Sequence, residues 1–327
     1  MMELLKKLTG VCAPSGNEEE LCRVIFKEAE NYADEIYKDA LGNLIVHKKG
    51  SGKKVMFAAH TDEIGVIVTH IDDNGFLRFA ALGGVDAHFA LYQRVQFPNG
   101  VAGVVGYEET LKEMKDLALS KLYIDIGAAS KKDAEDRVRI GDAACFCGAY
   151  FEQNGKVVSK ALDNRAGVFV LLAALKTVGN TENDLYFVFT AQEELGLRGA
   201  RAAAFDIAPD FAVAVDVTDT GDTPECNPMA VKLGGGPAIK VMDSSILTSK
   251  AVRETLVSCA KEHNIPYQLE VLVSGGTDAG AIHQTGAGVR TGAVSIPTRY
   301  IHSVCEMADI NDITNAVKLI AHAAQKF

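Results

Sequence analysis

Hydrophobic positions do not keep one period along this chain. Between residues 17 and 34 (NEEELCRVIFKEAENYAD), Leu21, Val24, Ile25 and Ala29 recur at helical spacing, with acidic residues in the first turn after a Ser15/Asn17 cap. An amphipathic helix is expected there. LGNLIVHK and KKVMFAAH are short apolar runs on either side of the turn GSGKK at 50–54, which predicts two strands, the second one buried. Farther on, the helical patterns GVFVLLAALKTV and LGLRGARAAAF precede the β-branched and aromatic runs LYFVFTAQEE and FAVAVDVT. The C-terminal part repeats the alternation with SILTSKAVRETLVSCAKEH, YQLEVLVSG, VRTGAVSI and a closing helix DITNAVKLIAHAAQKF. Such alternation predicts an α/β fold, an open and mostly parallel sheet covered by helices.

From about Ile67 to Ser159 the texture changes. GFLRFAAL, RVQFP, VAGVVGY, KLYIDIG and KVVSKA are short strand patterns at close spacing, and TLKEMKDLA is the main helical segment among them. A small all-β domain is expected here. The length of 327 residues fits about two domains, or one large domain carrying an insertion.

Composition narrows the function by exclusion. The net charge of −10, without a basic stripe, argues against nucleic acid as a partner. Apolar runs such as 168–175 stop well short of the roughly 18–20 residues a membrane span needs, so no membrane partner is expected. The opening MMELLKKLTG has no long apolar core, and seven cysteines is an odd number in a chain too large to need disulfide staples. A reducing cytoplasm is the expected setting. Cys145 and Cys147 form the one close pair and read as small buried hydrophobes, because no second pair stands at zinc-finger spacing.

Ionisable residues fall directly after buried-strand patterns or in turns near them: His60 and Asp62 after VMFAA, Asp163 in KALDNRAG, Glu193 and Glu194 after FVFTAQ, Asp216 after FAVAV, and His302 in TRYIHS. Ligands of open α/β sheets gather at the carboxyl ends of strands, so one crevice could collect them all. Singly, each residue also admits a structural role. Asp163 could cap the helix that follows it, and the two glutamates could be helix-starting acids stabilised by the macrodipole of the segment after them. Together, several buried carboxylates repel one another unless a cation balances them. Two histidines and three carboxylates suit divalent metals and are too oxygen-rich for a structural zinc site. A dinuclear hydrolytic site needs a bridging carboxylate, ligands on each side and a free carboxylate as base. The set can be divided that way if Asp163 bridges, His60 and Asp216 complete one ion, Glu194 and His302 complete the other, and Glu193 stays free.

HTDEIG at 60–65, ALDNRAG at 161–167, AQEELGLRGA at 191–200, VAVDVT at 213–218, SGGTDAGAIH at 274–283 and TRYIHS at 298–303 together resemble the M42 family of metallo-aminopeptidases, the tetrahedral (TET) or glutamyl-aminopeptidase-like group. The resemblance spans nearly the whole chain. It implies a zinc-peptidase-like α/β/α domain (1–66 and 160–327) interrupted by a β-barrel-like oligomerisation domain (67–159), in assemblies that are typically dodecamers. It also implies two divalent ions per subunit, Zn or Co first and Mn as a further candidate. His60, Asp163 and Asp216 would hold one and Asp163, Glu194 and His302 the other, with Glu193 as general base and acid. Asp62 would fix the His60 ring from behind, and the substrate would be a short peptide with a free N-terminus. Inside the insertion the chain departs from the family pattern: GGVDAHFALYQRV and VVGYEETLKEMK stand where relatives commonly carry Trp-Asp-Pro-like and Pro-Pro-His segments.

LGGGP at 233–237 and SGGTDAG at 274–280 lack the Lys-Ser/Thr of a phosphate loop and read as tight turns, with Thr277 and Asp278 resembling family residues near the site. His47, His70, His263 and His322 read as surface or packing residues, while His88 and His283 could approach the cleft. Other functions on the same residues are a deacylase, which would need a basic pocket for a carboxylate, and a glycoside hydrolase of the endoglucanase type, which needs two carboxyl groups and no metal. A non-catalytic assembly protein would be expected to have lost a ligand or the base, and none is lost.

Overall fold

The structure, a computed structural model, describes residues 2–327. Its main body is an eleven-stranded sheet. From one edge, the order is Glu35–Lys38, Leu44–Lys48, Asp184–Thr190, Lys54–His60, Phe211–Thr218, Arg290–Arg299, Glu306–Asp309, Lys156–Ser159 and Phe151–Gln153; Ala238–Met242 branches from Arg290–Arg299 and pairs with Gln268–Val271. The four strands at its heart are parallel to one another, and the pairs flanking them are antiparallel. The expectation of a parallel sheet therefore holds where the sheet is buried on both faces. Period-two alternation is visible in Lys54–His60. Val55, Phe57 and Ala59 join the large core under the helices Glu19–Ala29, Leu162–Thr177 and Ile310–Lys326, whereas Met56 and Ala58 face the helix Arg198–Ile207. Leu162–Thr177 is apolar all round because helices and sheet enclose it. Cutting Phe57 to alanine in this fully buried layer is expected to cost about 3–5 kcal/mol.

The second body is a closed barrel of Gly65–Ile71, Leu77–Leu82, Leu122–Asp125, Ala102–Tyr107, Arg94–Gln96 and Ala143–Phe146, antiparallel throughout. Closure removes exposed strand edges, and Val66, Val68, Phe79, Val95, Val105 and Ile124 fill the interior.

Several local expectations change. KVVSKA, read with the β-rich stretch, supplies Lys156–Ser159, which pairs with Glu306–Asp309 in the large sheet. TLKEMKDLA forms no α-helix; two short 3-10 turns, Met114–Asp116 and Leu119–Lys121, hold its place, because Leu117 alone is buried and no apolar stripe exists to anchor a helix. The first amphipathic helix begins only at Glu19, since Ser15 is engaged elsewhere and Glu18 occupies the cap position. Cys145 is not a free thiol: it is bonded to Cys12, 133 residues away, which ties the loop after the N-terminal helix Met2–Thr9 to the barrel. Cys147 remains free. Among the described residues, no helix is long and apolar enough to cross a membrane.

Candidate metal centre

The strands Asp184–Thr190, Lys54–His60 and Phe211–Thr218 run in one direction, with Thr190 level with His60, so their carboxyl ends open on the same rim. His60 closes its strand, Asp216 lies near the end of its own, and Glu193 and Glu194 follow Thr190 in the next loop. Asp163 comes from the start of Leu162–Thr177. Asp163 and Asn164 keep non-helical dihedrals, and the peptide between them is cis. Asn164, rather than Asp163, serves the helix: its Oδ1 accepts the Gly167 N–H at 3.0 Å, and its amide donates to the Val215 carbonyl at 2.8 Å. Asp163 is thereby free to face the rim.

All the expected ligands converge. His60, Asp163 and Asp216 form one group able to hold a metal ion, and Asp163, Glu194 and His302 form a second. The Asp163 carboxylate is shared between them, Oδ1 lying 2.9 Å from His60 Nε2 and Oδ2 lying 3.3 Å from His302 Nε2. Asp216 Oδ1 is 3.6 Å from His60 Nε2, and Glu194 Oε1 is 3.3 Å from His302 Nε2. Glu193 stands apart, its Oε2 at 4.0 Å from His60 Nε2. Glu194 Oε1 is buried without a hydrogen-bond partner, an acceptor that a cation would satisfy. The donor set of imidazole and carboxylate fits a first-row divalent ion.

Electrostatics point the same way. Burial, reinforced by Asp216, Asp278 and Glu194, holds the Glu193 carboxyl well above the usual range, and burial also raises Glu194 and Asp216. Burial opposes protonation of His302, yet the facing carboxylates of Asp163 and Glu194 push it up to about 11. His60 is raised against its own burial by Glu193 and Asp163. Burial works against the Asp163 anion too, but hydrogen bonds from His302 and His60 hold it below the ordinary carboxylate range. Excess buried negative charge is thus gathered around a point that two imidazoles only partly neutralise.

Asp62 lies behind the His60 ring and also reaches beyond it. His60 Nδ1 lies 3.1 Å from the Asp62 carbonyl oxygen and 3.5 Å from its carboxylate, so the backbone chiefly orients the ring. The carboxylate accepts the backbone N–H of both Glu193 and Glu194, at 3.0 and 3.1 Å, and the Ser15 hydroxyl at 2.6 Å. It sets the loop that carries the two glutamates. Three further supports escaped the sequence. The buried Glu306 carboxylate accepts the N–H of Asp163 and of His302, each at 2.9 Å. The fully buried Arg165 guanidinium donates to the carbonyl of Thr61 and to the Glu63 carboxylate. Gly83 and Gly84, from the barrel side, let backbone pass where a Cβ would stand 2.8 Å from Glu194 Oε2 and 2.6 Å from His302 Nδ1. A glutamate shortly after TRYIHS was the available signal for Glu306; nothing local marks the others.

A cleft of about 620 Å³ opens onto both groups. A larger hollow of about 740 Å³, between Arg23 and Pro98, contains none of the six. Asp278 is buried beneath the site, accepting the Thr190 hydroxyl, with burial raising its carboxyl to about 7. His88 lies exposed on the barrel and His283 bonds to the Ala279 carbonyl; neither lines the cleft.

Residues 42–319 match the family model described as M42 glutamyl aminopeptidase. An Acetivibrio thermocellus protein with an aminopeptidase name is 58% identical over 99% of this chain and 98% of its own. The solved aminopeptidase APDkam598 from Desulfurococcus kamchatkensis superposes with a TM-score of 0.95 at 41% identity, covering 99% of this chain and 94% of that one. PhTET1-12s, solved as a dodecamer in the asymmetric unit, gives a TM-score of 0.92 at 36% identity over 100% and 99%. With the α/β sheet, the barrel and the shared aspartate already in place, these likenesses show that the chain belongs to the M42 glutamyl aminopeptidase family and is a metal-dependent aminopeptidase, a hydrolase.

Proposed function

We propose that the enzyme removes N-terminal residues from short peptides at a dinuclear centre bridged by Asp163. His60 and Asp216 complete one position, Glu194 and His302 complete the other, and Glu193 is the general base. The observation that carries this is the split Asp163 carboxylate, one oxygen toward each histidine. Two divalent ions, Zn or Co first and Mn as a further candidate, would supply charge there that acidifies a water and polarises the scissile carbonyl. Glu193 Oε2, which stands beside the centre without joining either group of ligands, takes the proton of the attacking water and returns it to the leaving amine. Asp62 holds the Glu193 backbone and so fixes where that carboxylate stands.

Activity on unblocked peptides should vanish on chelation and return with a divalent metal, while N-acetylated peptides stay intact. Chelator-insensitive cleavage, or equal cleavage of acetylated peptides, would sink the assignment. Neither alternative hydrolase gains support. A deacylase would use a cationic pocket, and among the described residues no Lys or Arg lines the cleft.

The division into a catalytic part (expected at 1–66 and 160–327) and an inserted barrel part (expected at 67–159) that makes subunit contacts belongs to the same proposal, with the barrel strands running from Gly65 to Phe146 and Phe151–Gln153 and Lys156–Ser159 counted with the large sheet. Tyr92, Val104 and Ile140 are exposed apolar side chains on the barrel part, and a homo-oligomer as large as a dodecamer would cover them. Light scattering that returned a monomer would contradict this. A cytoplasmic setting is included; the five free cysteines support it, and the Cys12–Cys145 bond weighs against it.

A further inference from the structure

The cleft wall beyond the ligands and the base is unequal in chemistry. Leu197, Leu272 and Ile301 line it, with glycines between them, and Val217 borders it from the large core. Among the described residues no Lys or Arg lines it, and the one additional ionisable group is the exposed carboxylate of Asp219.

Cations near the cleft are already committed. Lys240, on the strand Ala238–Met242, is fully buried between Glu270 and Asp243, so that trio carries a net negative charge. Glu270 also accepts the hydroxyl of Thr218, which lines the cleft, at 2.8 Å. Arg299 is held by Asp222 through two bonds of 3.0 and 2.8 Å, and Lys160 is closed off by Glu63. Arg198 donates to the Gln192 side chain and does not line the cleft. The centre itself has no charge to spare: two divalent ions would balance the carboxylates of Asp163, Glu193, Glu194 and Asp216 and leave nothing over. An acidic side chain entering this cleft would lose its hydration without meeting a counter-charge.

We propose that the enzyme selects peptides whose first residue is apolar and rejects those that begin with an acidic residue, with Leu272 part of the wall that receives the side chain. This rests on the aminopeptidase assignment above. Burying a leucine-sized side chain against such a wall is worth about 10- to 100-fold in specificity. The exposed, water-screened Asp219 offers a basic side chain less than that. The expected order is therefore leucine, then lysine, then glutamate.

The test is a panel of leucyl, lysyl and glutamyl arylamides with metal-reconstituted enzyme, together with the thermal unfolding midpoint in equal concentrations of free leucine, lysine and glutamate. The leucyl substrate should exceed the glutamyl one at least about 100-fold in kcat/KM and the lysyl one about tenfold, and leucine should raise the midpoint most. Leu272→Lys should raise the glutamate-to-leucine ratio at least about tenfold. A wild-type preference for the glutamyl or lysyl substrate overturns the proposal while leaving the aminopeptidase assignment intact. No cleavage of any arylamide with Zn, Co or Mn overturns that assignment and this proposal with it. An unchanged ratio in a folded Leu272→Lys protein removes Leu272 from the wall.

Discussion

His60 and His302 stand on opposite sides of one aspartate and are held in opposite ways. His60 is the last residue of a central strand, its side chain 2% exposed, its ring set by the Asp62 carbonyl. His302 sits in a turn with a left-handed backbone (φ 62°), its side chain 35% exposed, fixed by Glu306 and pressed by barrel backbone at Gly84. The sheet makes the first half of the centre rigid. The second half borrows rigidity from a buried carboxylate and from the neighbouring barrel, so the barrel contributes to the chemistry as well as to the surface. The buried half should therefore bind its ion more tightly and exchange it more slowly.

The largest expected effect bears on neither half alone. Glu193→Gln should lower kcat by at least about 10²–10⁴ while both metal positions stay filled. Loss of metal in that variant would make Glu193 a ligand and dissolve the distinction between the halves. Next come Glu194→Gln and Asp216→Asn, each weakening one ion by more than the about 10–100-fold typical of an outer partner. Activity of Glu194→Gln should recover with excess metal, because its ion lies in the more open half; equal behaviour of the two variants in metal titrations would erase the asymmetry. Gly84→Ala is gentler. Its new Cβ would crowd the His302 ring, so metal analysis should show about tenfold weaker binding at one position and unchanged binding at the other. An unchanged pair of affinities would mean that the barrel only touches the site.

The smallest effect is in pH. Before metal enters, the carboxylates around both imidazoles outweigh the burial that opposes protonation, so each ring holds its proton more firmly than a free imidazole. A metal must displace those protons, so loading should release acid and apparent affinity should rise with pH. Proton uptake on loading, read with an indicator in weak buffer, would contradict that charge state.

The ligands at strand ends were more legible in the sequence than the groups that hold them in place. His60, Asp216 and the two glutamates follow buried apolar runs, so their place at strand ends could be read locally, and six motifs identified the family. Glu306, Ser15, Arg165 and Gly84 act through partners far along the chain: Ser15 meets Asp62 across 47 residues, and Glu306 meets Asp163 across 143. No periodicity encodes such meetings. Ser15 illustrates the cost, since its residue type suggests a helix cap and tertiary contact assigns its hydroxyl to Asp62 instead. The Cys12–Cys145 bond and the pairing of Lys156–Ser159 with Glu306–Asp309 were hidden for the same reason.

All of this depends on one carboxylate serving two ions, and metal content of Asp163→Asn tests that most directly. After reconstitution and removal of loose metal, elemental analysis should find two ions per wild-type subunit and fewer than one in the variant. The loss arises because both positions give up a ligand and the ions' mutual repulsion is no longer offset. Two ions in a folded Asp163→Asn protein would show that Asp163 does not bridge and would contradict the account.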